Sequence, residues 1–348
     1  MFLGMKLLSI ASAFPEHRYT QKECLEAMRE AEFWSDLKEG SRRLLEKVLQ
    51  SDGGINERRF ALNNLTEAWK SDAQELNIYY EKTAPAIAEK AIHVALAKSD
   101  TDISEVDALF VCSCTGYLCP GVSSYVAERL RMRENAYLQD LTGLGCGAAI
   151  PMLEAAAGYV ALHPEAKVIT VAVEICSAAF YVEDDTGVLI STCIFGDGAS
   201  AALWSGTVGD WEIRNFKSLH CPESREMIRF TNAAGKLRNQ LDKNVPTLAA
   251  SVVKKLYTDD TDAVVTHGGG RDVIMALESA LEIENLTYAR EVMRKYGNLS
   301  SPSVMVALEM FLEEATDEKS VWMCGFGAGF SAHSCEMHHH SPEKLSEL

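Results

Sequence analysis

Cys146 stands between two glycines in the stretch Leu141-Thr-Gly-Leu-Gly-Cys-Gly-Ala-Ala-Ile150. An apolar run over 136–141 leads in and a small-residue helical pattern over 148–162 leads out, so the spacing predicts strand, tight turn and helix. A cysteine at the start of a helix has its thiolate favoured by the positive end of the dipole. The flanking glycines let the backbone turn sharply and are expected to leave room for a ligand beside the sulfur. That is the setting of a nucleophile. The same residues, as Gly143-x-Gly145-x-x-Ala148, also fit a dinucleotide-binding turn, with Glu174 at the end of the next strand as the ribose-binding acid. Two further chemistry-bearing residues sit at turns: His267, before three glycines, and Asn298, in Tyr296-Gly-Asn-Leu-Ser-Ser301.

The elements that position these residues show an internal repeat. Strands are expected over 5–13, 106–113, 167–174, 194–204, 211–220, 262–266 and 319–325. Helices are expected over 21–30, 40–50, 77–98, 123–130, 246–257, 287–296 and 303–314, with another from 270 to 281. A strand ends near Cys114; Cys146 follows 32 residues later, and the strand at Val168 comes 22 after that. In the second half a strand ends at His267, Asn298 follows 31 residues later, and the strand at Ser320 comes 22 after that. Two similar α/β halves are therefore expected, 1–205 carrying Cys146 and 206–348 carrying His267 and Asn298. Strand ends gather functional residues in such sheets, and a pseudo-twofold would bring the three to one cleft. An NAD-dependent oxidoreductase, the alternative, does not call for His267 and Asn298 at mirrored positions.

The chain has 348 residues with 33 basic against 50 acidic, a net charge of −17. That balance argues against nucleic acid and anionic membranes as partners. Ten cysteines are too sparse for a disulfide scaffold and fit a reducing compartment. Cys112, Cys114 and Cys119 form a C-x-C-x4-C run with no matching second pair, and no metal is expected there. The opening Met1-to-Ala13 stretch reads as a first strand rather than a signal peptide, since it lacks a basic start. No apolar run approaches the roughly 20 residues that span a bilayer, so a soluble cytoplasmic protein is expected. The tail from Met337, with His338 to His340, reads as a frayed terminus.

Several stretches together resemble the thiolase superfamily, and within it ketoacyl-ACP synthase III and chalcone synthase-like (type III) polyketide synthases. They are Val265-Thr-His-Gly-Gly-Gly270, Tyr296-Gly-Asn-Leu-Ser-Ser301, Phe195-Gly-Asp-Gly-Ala199, Gly325-Phe-Gly-Ala-Gly-Phe330 and Gly54-Ile-x-x-Arg-Arg59. The resemblance implies a thiolase-like α/β fold, two duplicated halves in five αβαβα layers, and a homodimer. It implies a Cys146–His267–Asn298 triad, with His267 holding the thiol as thiolate. An acyl-CoA starter would load onto Cys146 and condense with malonyl-CoA after decarboxylation, with no metal or organic cofactor. The alternative within the family is a single condensation fed by an acyl carrier protein. By resemblance the cavity is lined by Cys114, Thr115, Cys176, Ala179, Phe195 and Asn239, and Cys119 lies on a loop that crosses a dimer interface. Ser300 and Ser301 orient Asn298 or cap the next helix. Arg58 and Arg59, with Arg238 as a weaker candidate, are the nearest cations to bind the phosphates of coenzyme A.

Overall fold

The computed structural model describes residues 4–51, 53–69, 72–315 and 317–340. From the N-terminus the elements are β1 (Met5–Ala13), β2 (Arg18–Thr20), α1 (Gln21–Glu30), α2 (Phe33–Asp36), α3 (Glu39–Gln50), β3 (Glu57–Arg59), α4 (Ala73–Lys98), β4 (Val106–Cys112), α5 (Val122–Leu130), β5 (Tyr137–Leu141), α6 (Ala149–Leu162), β6 (Lys167–Glu174), α7 (Thr186–Ile194) and β7 (Gly198–Ser205). They continue with β8 (Trp211–His220), β9 (Ile228–Ala233), β10 (Lys236–Leu241), α8 (Val245–Leu256), β11 (Ala263–Thr266), α9 (Arg271–Leu281), α10 (Thr287–Tyr296), α11 (Pro302–Glu314), β12 (Ser320–Gly327) and β13 (Ser331–His339).

Nine strands share one sheet in the order β11-β12-β13-β8-β1-β7-β6-β4-β5. β7 and β12 are buried along their whole length and β6 along all but its first residue. Their sequences accordingly read as continuous apolar or small runs, as expected when helices cover both faces. α4 and α5 pack on one outer face, with Ile92, Val126 and Val171 in the interface. α6 and α11 fill the middle, with Met152, Met305 and Phe311. α8, α9 and α10 cover the other outer face, with Leu277 and Trp322. These are the five layers expected of a thiolase-like fold. The sheet crosses from one side to the other only where β1 meets β8, over Met5–Ile213, Lys6–Glu212 and Leu7–Trp211. A division at 205–206 would fall in the turn between β7 and β8.

α6 with its preceding turn is apolar enough to cross a membrane by length and composition, yet it lies in the central layer. Its composition answers to burial from both sides. The histidine tail departs from expectation: β13 runs through His338 and His339, paired to β8 and β12, so these residues are sheet and not a frayed end. His338 Nε2 lies 3.0 Å from Glu336 Oε2 and His340 pairs with Glu212. Residues 341–348, part of the same expectation, lie outside the described residues. The β9–β10 hairpin was not anticipated, and it forms one wall of the site.

Candidate active site

Cys146 occupies a single 3-10 turn, Gly145–Gly147, between β5 and α6. Gly145 requires its φ of +57°, which a side chain disfavours. The glycines do not leave room for a ligand, contrary to expectation. A Cβ on Gly145 would stand 3.1 Å from Ala328, and one on Gly147 3.1 Å from the Phe326 carbonyl carbon. The fit is mutual, for a Cβ on Gly327 would lie 2.7 Å from Gly147 N and 2.8 Å from Cys146 N. The turn after β12 therefore packs against the backbone of the Cys146 turn. In the dinucleotide pattern Gly145 thus faces chain, whereas Gly143 has nothing within 4 Å of its Cβ position.

His267 closes β11, its N–H donating to the Cys324 carbonyl at 2.8 Å and its ring meeting Phe326 edge-on at 5.0 Å. Its Nδ1 is buried with no hydrogen-bond partner among the described residues. Asn298 follows α10. Its Nδ2 donates to the Gly269 carbonyl at 3.0 Å, and its Oδ1 accepts from Ser300 N at 2.8 Å. Ser300, at a left-handed φ of +60°, then places Oγ 3.2 Å from Cys146 Sγ. A chain of contacts thus runs from the His267 loop through Asn298 and Ser300 to Cys146. Burial raises the Cys146 thiol to about 12, the Ser300 hydrogen bond pulling against it. Burial alone lowers the His267 imidazole to about 4. Burial thus disfavours the charged form of each group, the thiolate of Cys146 and the imidazolium of His267.

Beneath this chain lies Glu174, 0% exposed, which the sequence offered only as a ribose-binding acid. Its Oε2 accepts from Cys114 N (3.0 Å), Thr115 N (3.1 Å) and Thr115 Oγ1 (2.8 Å), and its Oε1 from Ser301 Oγ (2.6 Å). Ser300 Oγ is 3.4 Å from Oε1 as well. A carboxyl group so surrounded by donors ties the end of β4 to the start of α11. It also corrects the capping role offered for Ser301, whose hydroxyl serves Glu174, not the helix. The available sequence signal was an acid ending an otherwise apolar strand.

Phe195 and Asn298 form an isolated parallel bridge, with Asn298 N donating to the Ile194 carbonyl (2.8 Å) and Gly196 N to the Asn298 carbonyl (3.0 Å). Thr115, Cys176, Ala179, Phe195, Asn239 and Ser300 line one cavity. Cys114 stands behind Ser300, its Sγ 3.4 Å from Ser300 Oγ. The cavity walls missed in the sequence come from Phe180 and Tyr181, from α7 (Val188, Ser191, Thr192), and from Phe230 and Leu237 of the hairpin. α7 had a readable start, since Asp185 accepts from Gly187 N and Val188 N as an N-cap.

The expectation for Arg58 is corrected. Arg58 is 1% exposed and donates to Gln21 Oε1 (2.9 Å) and to the Thr192 and Phe195 carbonyls (2.8 and 2.9 Å). It satisfies the C-terminal end of α7 and holds Phe195, and its burial keeps it from a phosphate at the surface. Arg59 Nη1 spans the Pro15 and Glu16 carbonyls (3.2 and 3.3 Å). Arg238 pairs with Glu183 and Asp185. No cluster of three or more His, Cys, Asp or Glu able to hold a metal occurs among the described residues.

Known proteins sort this geometry. The family described as FAE1/Type III polyketide synthase-like protein matches residues 10–226, and the 3-oxoacyl-[acyl-carrier-protein] synthase III C-terminal family matches 253–338. The 1,3,6,8-tetrahydroxynaphthalene synthase of Streptomyces peucetius subsp. caesius is 26% identical over 94% of this chain and 92% of its own length. Phloroglucinol synthase of Pseudomonas fluorescens is 24% identical over 92% and 95%. Among solved structures, the tetrahydroxynaphthalene synthase of Streptomyces coelicolor A3(2) superposes with a TM-score of 0.86 at 24% identity, covering 97% of this chain and 99% of that one. PKS-I from the brown alga Ectocarpus siliculosus does so at 0.87 and 21%, covering 98% and 99%. These superpositions show the fold.

Proposed function

We propose that this chain, which belongs to the FAE1/type III polyketide synthase-like family, divides its condensing reaction between Cys146, which carries the acyl group, and His267 with Asn298, which hold the enolate. It is an acyltransferase that builds carbon–carbon bonds, and its substrates are taken to be an acyl-CoA starter and malonyl-CoA. The observation that carries the reading is the continuous contact chain from the His267 loop through Asn298 and Ser300 to Cys146.

In loading, the Cys146 proton passes to His267 as sulfur attacks the thioester carbonyl; the new S–C bond forms, the bond to coenzyme A breaks, and the proton leaves with the coenzyme A thiol. Malonyl-CoA then loses carbon dioxide, and the electron pair of the broken bond becomes an enolate. Asn298 keeps one Nδ2 hydrogen beyond its bond to Gly269, and a neutral imidazole supplies a second donor; together they hold the enolate oxygen. The carbanion attacks the acyl carbonyl, and the Cys146 sulfur is released. Side chains and the thioester supply all of this chemistry, so the reading calls for no cofactor.

The Asn298→Ala variant tests the division of labour. It should retain acyl loading on Cys146 within a few-fold, while release of carbon dioxide from malonyl-CoA falls at least a hundredfold, the scale of a lost oxyanion donor. Loss of loading together with decarboxylation would contradict it. Carrier-protein-bound substrate, offered in parallel with coenzyme A thioesters, decides the alternative donor.

We also propose a homodimer built on β5. This strand is one of the two edges of the sheet, and Tyr117 (74% exposed), Tyr137 (45%) and Leu138 (36%) lie exposed on or near it. An exposed, apolar edge strand is a template for pairing with a second chain. The ten cysteines are all free, in keeping with the cytoplasmic location proposed here.

A further inference from the structure

Four hydroxyl groups lining the cavity already have an acceptor for their proton within the chain. Thr115 Oγ1 donates to Glu174 (2.8 Å), Thr192 Oγ1 to the Val188 carbonyl (2.9 Å), Ser191 Oγ to the Gly187 carbonyl (2.6 Å) and Ser300 Oγ to Cys146 Sγ (3.2 Å). Tyr181 differs. It lines the same cavity, is 8% exposed, and its hydroxyl is buried with no hydrogen-bond partner among the described residues. Native proteins rarely leave a buried donor unpaired, because its lost hydration is not returned.

Tyr181 stands at the hairpin end of the cavity, whereas Ser300 marks the Cys146 end. Lys236 of β10 places its ammonium 5.1 Å from the centre of the Tyr181 ring, and Leu237 and Asn239 of the same strand line the wall beside it. The ring is held in place. Phe180, just before it, packs edge-on against Phe60 at 5.3 Å, and Arg238 clamps the following loop through Glu183 (3.0 Å) and Asp185 (2.8 Å). The phenol is therefore a fixed donor with no acceptor among the described residues.

We propose that the Tyr181 hydroxyl donates to a carbonyl oxygen of the poly-β-keto chain growing from Cys146, so that it selects oxygenated chains and sets how far extension proceeds. This rests on the reading of Cys146 as the acyl carrier. A ketide chain presents an oxygen on every second carbon and can satisfy the phenol; an alkyl tail presents none and leaves it unpaired. Sites that pair a substrate oxygen reject analogues lacking it. Burial also pushes the phenol up to about 12, which keeps its proton in place at neutral pH.

The test compares wild type with Tyr181→Phe, which removes one oxygen and keeps the ring, and with Tyr181→Met as a second way of removing the hydroxyl. Thermal unfolding checks that each variant folds. Intact-protein mass spectrometry measures loading of Cys146 from acetyl-CoA and hexanoyl-CoA, and product analysis with malonyl-CoA measures extension. The expected result is acetyl loading within twofold of wild type. Products released at the triketide stage or earlier should rise about tenfold relative to longer ones, the effect of one lost hydrogen bond. Discrimination against hexanoyl-CoA in extension should relax. Unchanged products from folded variants would overturn this inference alone, as would an equal loss of loading and extension. A wild type that forms no adduct on Cys146 would overturn the parent reading and this one with it.

Discussion

Burial acts on Cys146 and His267 in opposite directions, raising the thiol and lowering the imidazole, so both are held neutral at neutral pH. The stability consequence can be worked out for His267. In the unfolded chain it takes up a proton near pH 6.5, but in the fold only near 4. As pH falls through 6.5 the unfolded state gains the proton first, and folding weakens progressively until about pH 4, by about 3 kcal/mol. Urea unfolding of wild type and His267→Gln at pH 7 and pH 4.5 should show wild type losing stability on acidification that the variant keeps. Parallel losses would contradict it. Cys146, His267 and Asn298 stood out as candidates because each stands at a glycine-marked turn. Arg58 and Glu174 were not. An Arg-Arg pair reads as surface charge, and only the alternation of the short strand β3 turns Arg58 inward to Gln21 and the end of α7. Glu174 ends an apolar strand, and nothing in its neighbours announces that donors from 113–115 and 300–301 converge on it.

At the level of elements, the site depends on loops from the two sides of the sheet fitting backbone to backbone. Gly327 is one such tight point, with Cys146 N and Gly147 N under 3 Å from where a Cβ would sit. Backbone cannot give way as a side chain does, so Gly327→Ala should displace the Cys146 turn. It should lower stability by about 1–3 kcal/mol and slow Cys146 loading at least tenfold. Gly158, exposed within α6 with nothing near its Cβ position, supplies the contrast. Gly158→Ala should raise stability by about 0.5–1 kcal/mol and leave loading unchanged. Equal effects of the two in thermal unfolding and loading assays would refute the packing argument. The helices and buried strands were readable from periodicity, but the β9–β10 hairpin was not. Its strands are only partly buried and carry Lys236, Arg238, Arg229 and Asn232 among their apolar residues, so neither period dominates.

Over the whole molecule, α6 and α11 lie side by side in the central layer and deliver Cys146 and Asn298 to one place. The repeat of spacings between the halves made that convergence legible, although the halves differ in detail. The strand β5 sits between α5 and α6, whereas the helix α10 sits between α9 and α11. That leaves β5 as an open edge, and Leu138→Lys should convert a two-chain particle to a single chain in light scattering. A wild type already of single-chain mass would contradict the dimer. The central claim is that Cys146 carries the acyl group. Incubation with acyl-CoA starters followed by peptide mass spectrometry should find the acyl mass on the peptide containing Cys146 and none on that peptide in Cys146→Ala. An adduct on another cysteine, or no adduct across a broad starter panel while product still forms, would contradict it.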